Sequence, residues 1–419
     1  MGMEQKEGSA KNFNKKIIIT LSIVLLFFVT AFGSFYFGSK FAFSKYSPAL
    51  NDKEIAKSLS GVKDISKFKE LFTIRDILYK YYDGEINENA LVEGAIKGMT
   101  ESLKDPYTVY MNPDEYENFK EKSEGSYNGL GIQLGVKDDK IIIVSPLKNS
   151  PAEKAGIKKG DIILKVNDTS VGANDLEKAI SMMKGKEQAD IKLTLNREDK
   201  GNFDVMLKRE VIKTESVKSE LINNNIGYIQ IIGFEQETGK DFKDQLQQLK
   251  DKGAKGLILD LRDNPGGYLT ESVDVVSNFI PKDKTIVSTI DKYKNETKNE
   301  SKGGIAIGMP LVVLTNNRSA SASEIVSGAI RDYKVGTLVG ETTYGKGVVQ
   351  VLLPNKESGS ALKVTISKYY TPNGENINKI GIKPDIEISY PEELKSKPYD
   401  RNTDPQFEKA LEVINEKLK

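Results

Sequence analysis

Residues Ile17 to Ser39 run without a single charged side chain, and they constrain the fold of this chain more than any other stretch. They include Ile17-Ile18-Ile19 and Leu25-Leu26-Phe27-Phe28. A helix over this run is long enough to cross the hydrocarbon of a bilayer. Lys6, Lys11, Lys15 and Lys16 precede it, so the short amino tail is expected on the cytoplasmic side and everything after Lys40 outside. The alternative is a cleaved signal peptide. Against it, the apolar run exceeds a usual signal core and Thr30-Ala31-Phe32-Gly33 is a poor cleavage site. The expectation is a single-pass protein of the cell membrane whose bulk is extracytoplasmic.

That bulk must do its chemistry without histidine or cysteine, for the chain has neither. A Ser–His–Asp triad, a thiol nucleophile, disulfides and any His/Cys metal site are thereby excluded. A covalent hydrolase built here has Ser, Thr, Lys or a carboxylate as nucleophile, and Lys, Asp, Glu or Tyr as base. No metal and no cofactor is called for. Lys plus Arg (61) balances Asp plus Glu (60), so the basic excess of nucleic-acid binders is missing and no such partner is expected. At 419 residues there is material for two or three domains, each with its own core.

The pattern changes along the chain. Between Phe68 and Leu103 apolar residues recur at helical spacing, with a turn at Asp83-Gly84-Glu85 and a stop at Asp105-Pro106. This helical cap serves dimerisation, substrate gating or plain packing; the residues leave these open. From about Glu115 to Arg209 short β-branched runs take over, among them Ile141–Val144, Asp161–Val166 and Ile191–Leu195. After Ile212 apolar strands such as Leu257–Leu261 and Leu311–Leu314 alternate with helices over Asp241–Lys250, Tyr268–Phe279 and Ser323–Tyr333, an α/β order. The expected divisions are a cytoplasmic tail (1–16), the anchor (17–39), stalk and cap (40–114), the β module (115–210), the α/β domain (211–390) and a terminal helical segment (391–419).

Within the β module, Gly129-Leu130-Gly131-Ile132 places two glycines just before a strand. Such a loop offers backbone N–H groups to a terminal carboxylate, and the strand after it can pair with a peptide; a tight turn alone is the plainer account. The run Ser150-Pro151-Ala152-x-x-Ala155-Gly156-x-x-x-Gly160-Asp161-x-Ile163 resembles the PDZ domains of bacterial proteases.

Three segments of the α/β part can carry chemistry. In Leu259-Asp260-Leu261-Arg262-Asp263-Asn264-Pro265-Gly266-Gly267 a buried strand ends in a Gly-Gly turn able to aim N–H groups at an anion; a simple strand-to-helix loop reads the same. In Ser319-Ala320-Ser321-Ala322-Ser323-Glu324 small residues surround Ser321 at a strand–helix junction, whereas capping alone explains only Ser323. In Gly345-Lys346-Gly347-Val348-Val349-Gln350 a lysine between glycines leads into an apolar strand. Burial there would lower its pKa toward the range of a general base.

Together these segments resemble the carboxy-terminal processing peptidases, also called tail-specific proteases. The likeness runs from about Phe68 to Ile388 and includes Gly98-Met99-x-x-Ser102-Leu103-x-Asp105-Pro106-Tyr107, Tyr369-Tyr370-Thr371-Pro372-Asn373-Gly374 and Gly381-Ile382-x-Pro384-Asp385. It implies an α/β core of the Clp protease and crotonase type with an inserted PDZ-like β domain, a helical N-terminal cap and one N-terminal transmembrane helix. It also implies Ser321 as nucleophile, Lys346 as general base and Gln350 as the residue orienting Lys346. Ala322 and Gly266 or Gly267 would form the oxyanion hole, with Asp260, Arg262 and Glu324 in support. Gly129, Leu130, Gly131 and Ile132 would hold the carboxyl end of protein or peptide substrates. Where the family often has an arginine coupling the PDZ domain to the catalytic residues, Met183-Lys184-Gly185-Lys186 offers Lys184, which lacks the planar fork. The rival readings are a non-catalytic PDZ scaffold and, on fold alone, a crotonase-like acyl-CoA enzyme.

Overall fold

The computed structural model describes residue 57, residues 61–185 and residues 188–419. The expected membrane span at residues 17–39 lies outside these; among the described residues no helix is long and apolar enough to cross a membrane. The chain divides into two units, the first ending at Leu91 and the second starting at Val92.

In the first unit helix α1 (Lys69–Tyr81) is followed by the start of α2 (Glu88–Glu101), with the expected break at Asp83-Gly84-Glu85 between them. Glu88 accepts hydrogen bonds from Arg75 Nε at 2.7 Å and from the Tyr79 hydroxyl, which ties the start of α2 to the polar side of α1. Among the described residues nothing buries the apolar stripe of α1: no residue of the helix is buried, and Leu71 and Phe72 are 50% and 60% exposed.

The second unit continues into β1 (Val109–Met111) and α3 (Pro113–Glu124). Asn112 and Glu115 cap α3 reciprocally, with Pro113 in its first turn. Strand β2 (Ser126–Gly129) then pairs with β9 (Glu210–Lys213), bringing the entry and exit of the β module side by side. Between them lie β3 (Ile132–Lys137), β4 (Lys140–Pro146), β5 (Ile162–Val166), β6 (Thr169–Ser170), β7 (Asp190–Arg197) and β8 (Gly201–Lys208), in the order β3-β4-β5-β7-β8 with β6 on β5. Helices α4 (Pro151–Lys154) and α5 (Leu176–Met183) complete the module. Ile191, Leu193 and Leu195, every second residue of β7, meet Ile141, Ile143 and Ala179 in one core.

The α/β part holds a six-stranded sheet in the order β10 (Val217–Ile222), β11 (Ile226–Ile231), β12 (Gly256–Asp260), β15 (Leu311–Thr315), β16 (Thr337–Gly340), β19 (Ile386–Glu387). Only the β10–β11 pair is antiparallel. Strands β12 and β15 are buried along their whole length, as their unbroken apolar sequences require. Leu257 and Leu259 face α6 (Thr238–Asp251), α7 (Leu269–Ser277) and α8 (Ala322–Asp332), whereas Ile258 faces α9 (Pro405–Lys417).

A second, antiparallel sheet has the order β1-β18-β13-β14, with β17 also on β18. Its members are β13 (Thr285–Asp291), β14 (Glu296–Glu300), β17 (Val348–Pro354) and β18 (Ala361–Tyr370), besides β1. Here β18 sets Val109 of β1 opposite Lys363, drawing a strand from before the β module onto one near the far end of the chain.

Candidate active site

The parallel strands β12 and β15 end side by side, and the turns that leave them are stitched together. The Ser319 hydroxyl donates to Leu261 O at 2.8 Å, Ala320 N to Asn264 O at 3.0 Å and the Ser323 hydroxyl to the same carbonyl at 3.0 Å. Asn264 is fully buried; its side chain donates to Ile231 O and accepts from Gly266 N, both at 2.8 Å.

This clamp holds Ser321 at φ 54°, ψ −111°, a conformation a serine adopts only under constraint. It leaves Ser321 half-buried at the start of α8 while Ala322 to Ile330 are buried behind it. The Gly-Gly turn fits against it at contact distance. A Cβ at Gly266 would lie 2.8 Å from Ala320 O and from Ser321 Cβ, and one at Gly267, whose φ is 145°, would lie 2.1 Å from Phe234 O. Because Gly266 N is taken by Asn264, the N–H groups beside Ser321 left without an acceptor among the described residues are those of Gly267 and Ala322.

Glu324, fully buried in the first turn of α8, connects Ser321 to the lysine loop. Its carboxylate accepts Ser321 N at 2.8 Å and Lys346 N at 2.9 Å on one oxygen. The other oxygen accepts Gly345 N at 2.7 Å and the Thr343 hydroxyl at 2.6 Å. The Tyr369 hydroxyl approaches Ser321 O at 3.3 Å. A buried carboxylate is tolerable because donors saturate it.

Lys346 is half-buried, its ammonium 4.7 Å from the centroid of the Tyr107 ring. Burial lowers its pKa below the ordinary lysine value; the charge of Lys363 adds to this, and Glu324 and Asp105 oppose it. The Tyr107 hydroxyl is pushed up to about 12 by burial and then by its hydrogen bond with Tyr344. At Asp105 burial works against ionisation, but hydrogen bonds from Thr108, Thr365 and Tyr107 outweigh it and hold the carboxyl below its usual range. Gln350, on β17, donates to the Thr365 hydroxyl at 3.3 Å. Among the described residues no hydrogen bond joins Ser321 Oγ to Lys346 Nζ, or Gln350 to Lys346.

The structure therefore brings Ser321, Ala322, Glu324, Gly266, Gly267 and Lys346 together, with Gln350 on the adjoining strand. Asp260 and Arg262 face elsewhere. Arg262 donates to Asp260 at 2.7 Å, to Asp404 at 2.7 Å and to Gln406 at 3.1 Å, while Tyr228 donates to Asp260. The pair thus fastens the end of β12 to the cap of α9. Lys184 lies at the end of α5, paired with Glu121 of α3 at 2.7 Å and 4.7 Å from the Tyr127 ring centroid. Gly129 to Ile132 span the β2–β3 loop, where the carbonyls of Leu130 and Gly131 are taken by Ala152 N and Leu147 N. Sequence reasoning gave no role to Tyr107, Thr365, Asn264 or Lys363. Tyr107 stood in a quoted motif, but nothing local marks it as the cover of a lysine far along the chain.

Comparison with known proteins matches residues 225–388 to the family model of peptidase family S41 and residues 128–206 to that of the PDZ domain. Residues 27–115 match the model described as the activating protease CtpB N-terminal domain. The chain is 42% identical over 332 residues to carboxy-terminal processing protease CtpA of Bacillus subtilis (strain 168), covering 79% of this chain and 71% of that protein. It is 36% identical over 327 residues to carboxy-terminal processing protease CtpB of the same organism, covering 77% and 68%. A probable CtpA-like serine protease of Staphylococcus haemolyticus (strain JCSC1435) is 39% identical over 350 residues, covering 81% and 68%.

Proposed function

This chain belongs to peptidase family S41, and from that premise we propose that it hydrolyses peptide bonds in extracytoplasmic proteins through a Ser321–Lys346 acyl-enzyme. It is a serine-type endopeptidase of the carboxy-terminal processing kind. One observation carries the residue assignment: the buried carboxylate of Glu324 holds the backbone of Ser321 and of Lys346 at once, 2.8 and 2.9 Å away.

In this mechanism neutral Lys346 takes the proton of Ser321 Oγ as that oxygen bonds to the scissile carbonyl carbon. The N–H groups of Ala322 and Gly267 stabilise the oxyanion. The C–N bond then breaks, Lys346 returns the proton to the leaving amine, and a water, deprotonated by Lys346, releases the acyl group from Ser321. For this to occur Lys346 must exchange the Tyr107 ring for Ser321 Oγ, and Gln350 must exchange Thr365 for Lys346.

We assign the trigger to the PDZ domain. A substrate tail would pair with β3, its carboxylate on the N–H groups of the Leu130-Gly131 loop, and Lys184 would pass the change to α3 through Glu121. The segment 17–39 would anchor the enzyme in the cytoplasmic membrane, and the uncovered apolar face of α1 suits pairing with a second copy. The test is cleavage of unfolded casein by the full-length protein, Ser321→Ala and Lys346→Ala, with products identified by mass spectrometry. Only the unsubstituted enzyme should give products; near-normal cleavage by Lys346→Ala overturns the mechanism. A peptide with a free carboxyl end should stimulate cleavage and its amide should not, and equal rates with both would reduce the PDZ domain to a tether.

A further inference from the structure

Lys363 sits half-buried on β18 with no carboxylate and no hydrogen-bond partner among the described residues. Its ammonium rests 5.1 Å from the centroid of the Phe119 ring on α3, and its strand neighbours are Val109 and Leu352. A cation withdrawn from water without a counter-charge costs stability, and a methionine would fill the same space without that cost. The position of Lys363 suggests what offsets it. Side chains recur on one face of a strand at every second residue, so Lys363 shares its face of β18 with Thr365. The Thr365 hydroxyl holds Gln350, and Thr365 N donates to Thr108 Oγ1 at 3.1 Å, next to the Tyr107 ring that carries the Lys346 ammonium. Each lysine is half-buried against an aromatic face, and they lie close enough for the charge of Lys363 to act on Lys346.

We propose that Lys363 is a positioning residue of the proteolytic reaction, whose unpaired ammonium disfavours a second positive charge on Lys346 and so holds that base neutral. The proposal rests on Lys346 being the base. The groups facing Lys346 are Asp105 from the segment before β1, Glu324 from α8, the Tyr107 ring, whose phenol bonds Tyr344, and Lys363 from β18. Both carboxylates favour the ammonium form; burial and Lys363 oppose them. Glu324 accepts hydrogen bonds from four donors, which fix its position in the site. Lys363 supplies the opposing charge. A second cation beside a lysine is an established way to activate the amine.

The experiment measures kcat/KM against pH on dye-labelled unfolded casein for the full-length enzyme, Lys363→Met, Lys363→Arg and Lys346→Ala. Methionine keeps the packing on Phe119 and removes the charge. It should move the rising limb of the profile up by about one pH unit, a loss of roughly tenfold below the limb that vanishes above it. Arginine, which keeps the charge, should leave the limb in place. A loss in Lys363→Met that is equal at every pH, a limb that does not move, or an equal move in Lys363→Arg overturns the proposal. If Lys346→Ala is inactive, any of these results removes only the role of Lys363. If Lys346→Ala cleaves at a near-normal rate, the Ser–Lys mechanism itself fails and takes this role with it.

Discussion

Glu324 and Lys346 make contact through the backbone, not through a salt bridge: the carboxylate accepts the lysine's own N–H at 2.9 Å, while the ammonium points to Tyr107. The acid is thus a brace for the loop that presents Lys346. In Glu324→Ala the N–H groups of Ser321, Gly345 and Lys346 and the Thr343 hydroxyl lose their acceptor in a buried place. For these four groups, at about 1–3 kcal/mol each, the variant should lose at least about 4 kcal/mol of stability. Urea denaturation measures this. Glu324→Gln keeps the shape but turns a donor toward those N–H groups, so casein cleavage should fall at least about a hundredfold in a chain that still folds. Wild-type activity in Glu324→Gln would remove the bracing role.

The pH dependence follows from the direction of the Lys346 shift. With its neutral form as the proposed base, kcat/KM should rise as pH passes through its lowered folded pKa and stay high above it. A profile with a maximum near pH 5 would point to a carboxylate base. The same shift acts on stability. Between the folded pKa of Lys346 and the ordinary lysine value the unfolded chain binds more protons, so this group makes stability rise with pH across that window.

Gly267→Ala should be among the most damaging single-methyl changes in the chain. The added carbon would stand 2.1 Å from Phe234 O, at a φ of 145° that side chains rarely adopt. Relief requires the turn to shift from Phe234, which displaces the Gly267 N–H beside Ser321. The expected result is a loss of several kcal/mol, of order 3 or more, together with all proteolysis. Thermal melting and casein cleavage read the two effects separately, and a stable, active variant would refute the close fit.

Arg262→Met tests the fastening of the last helix. It strands the carboxylates of Asp260 and Asp404 in the interior, and Asp404 also caps α9 by accepting Gln406 N and Phe407 N. Removing one partner of a buried ion pair costs about 3–5 kcal/mol. Hydrogen exchange should show residues 405–417 opening before the strands they cover; uniform protection across the domain would contradict this.

Membrane topology is tested at the amino end. A reporter fused after Lys40 should be exposed outside the cytoplasmic membrane, and the mature protein should retain its first forty residues. A soluble form beginning near Gly33 would favour a cleaved signal.

The six-stranded sheet, the β module and the turns around Ser321 were legible because each is written locally. Leu257–Leu261 and Leu311–Leu314 are apolar without interruption, and a strand buried on both faces has no other pattern. The second sheet was not legible. Strand β14 reads Glu-Thr-Lys-Asn-Glu, the composition of a solvated loop, and it becomes a strand only as the charged edge beside β13. Strand β1 is three residues long and owes its existence to β18. At the site, a lysine between two glycines announced its burial. What lies over it and beside it, Tyr107 and Lys363, arrives by pairing between distant strands, which no local pattern encodes. Asp260 and Arg262 carried a signal of importance without its direction, since their partners Asp404 and Gln406 lie at the far end of the chain.

The backbone of Ser321 is held by the start of α8, which follows it directly, and by two segments remote in sequence, the Asn264–Gly267 turn and the loop before Lys346. None can impose that conformation alone, because a strained residue relaxes as soon as its neighbours let it. An unfolded chain therefore carries Ser321 as an ordinary serine. The held conformation arrives only with the last docking event, after the segments that impose it have folded. Any reactivity that depends on this backbone geometry is thus tied to the order of assembly.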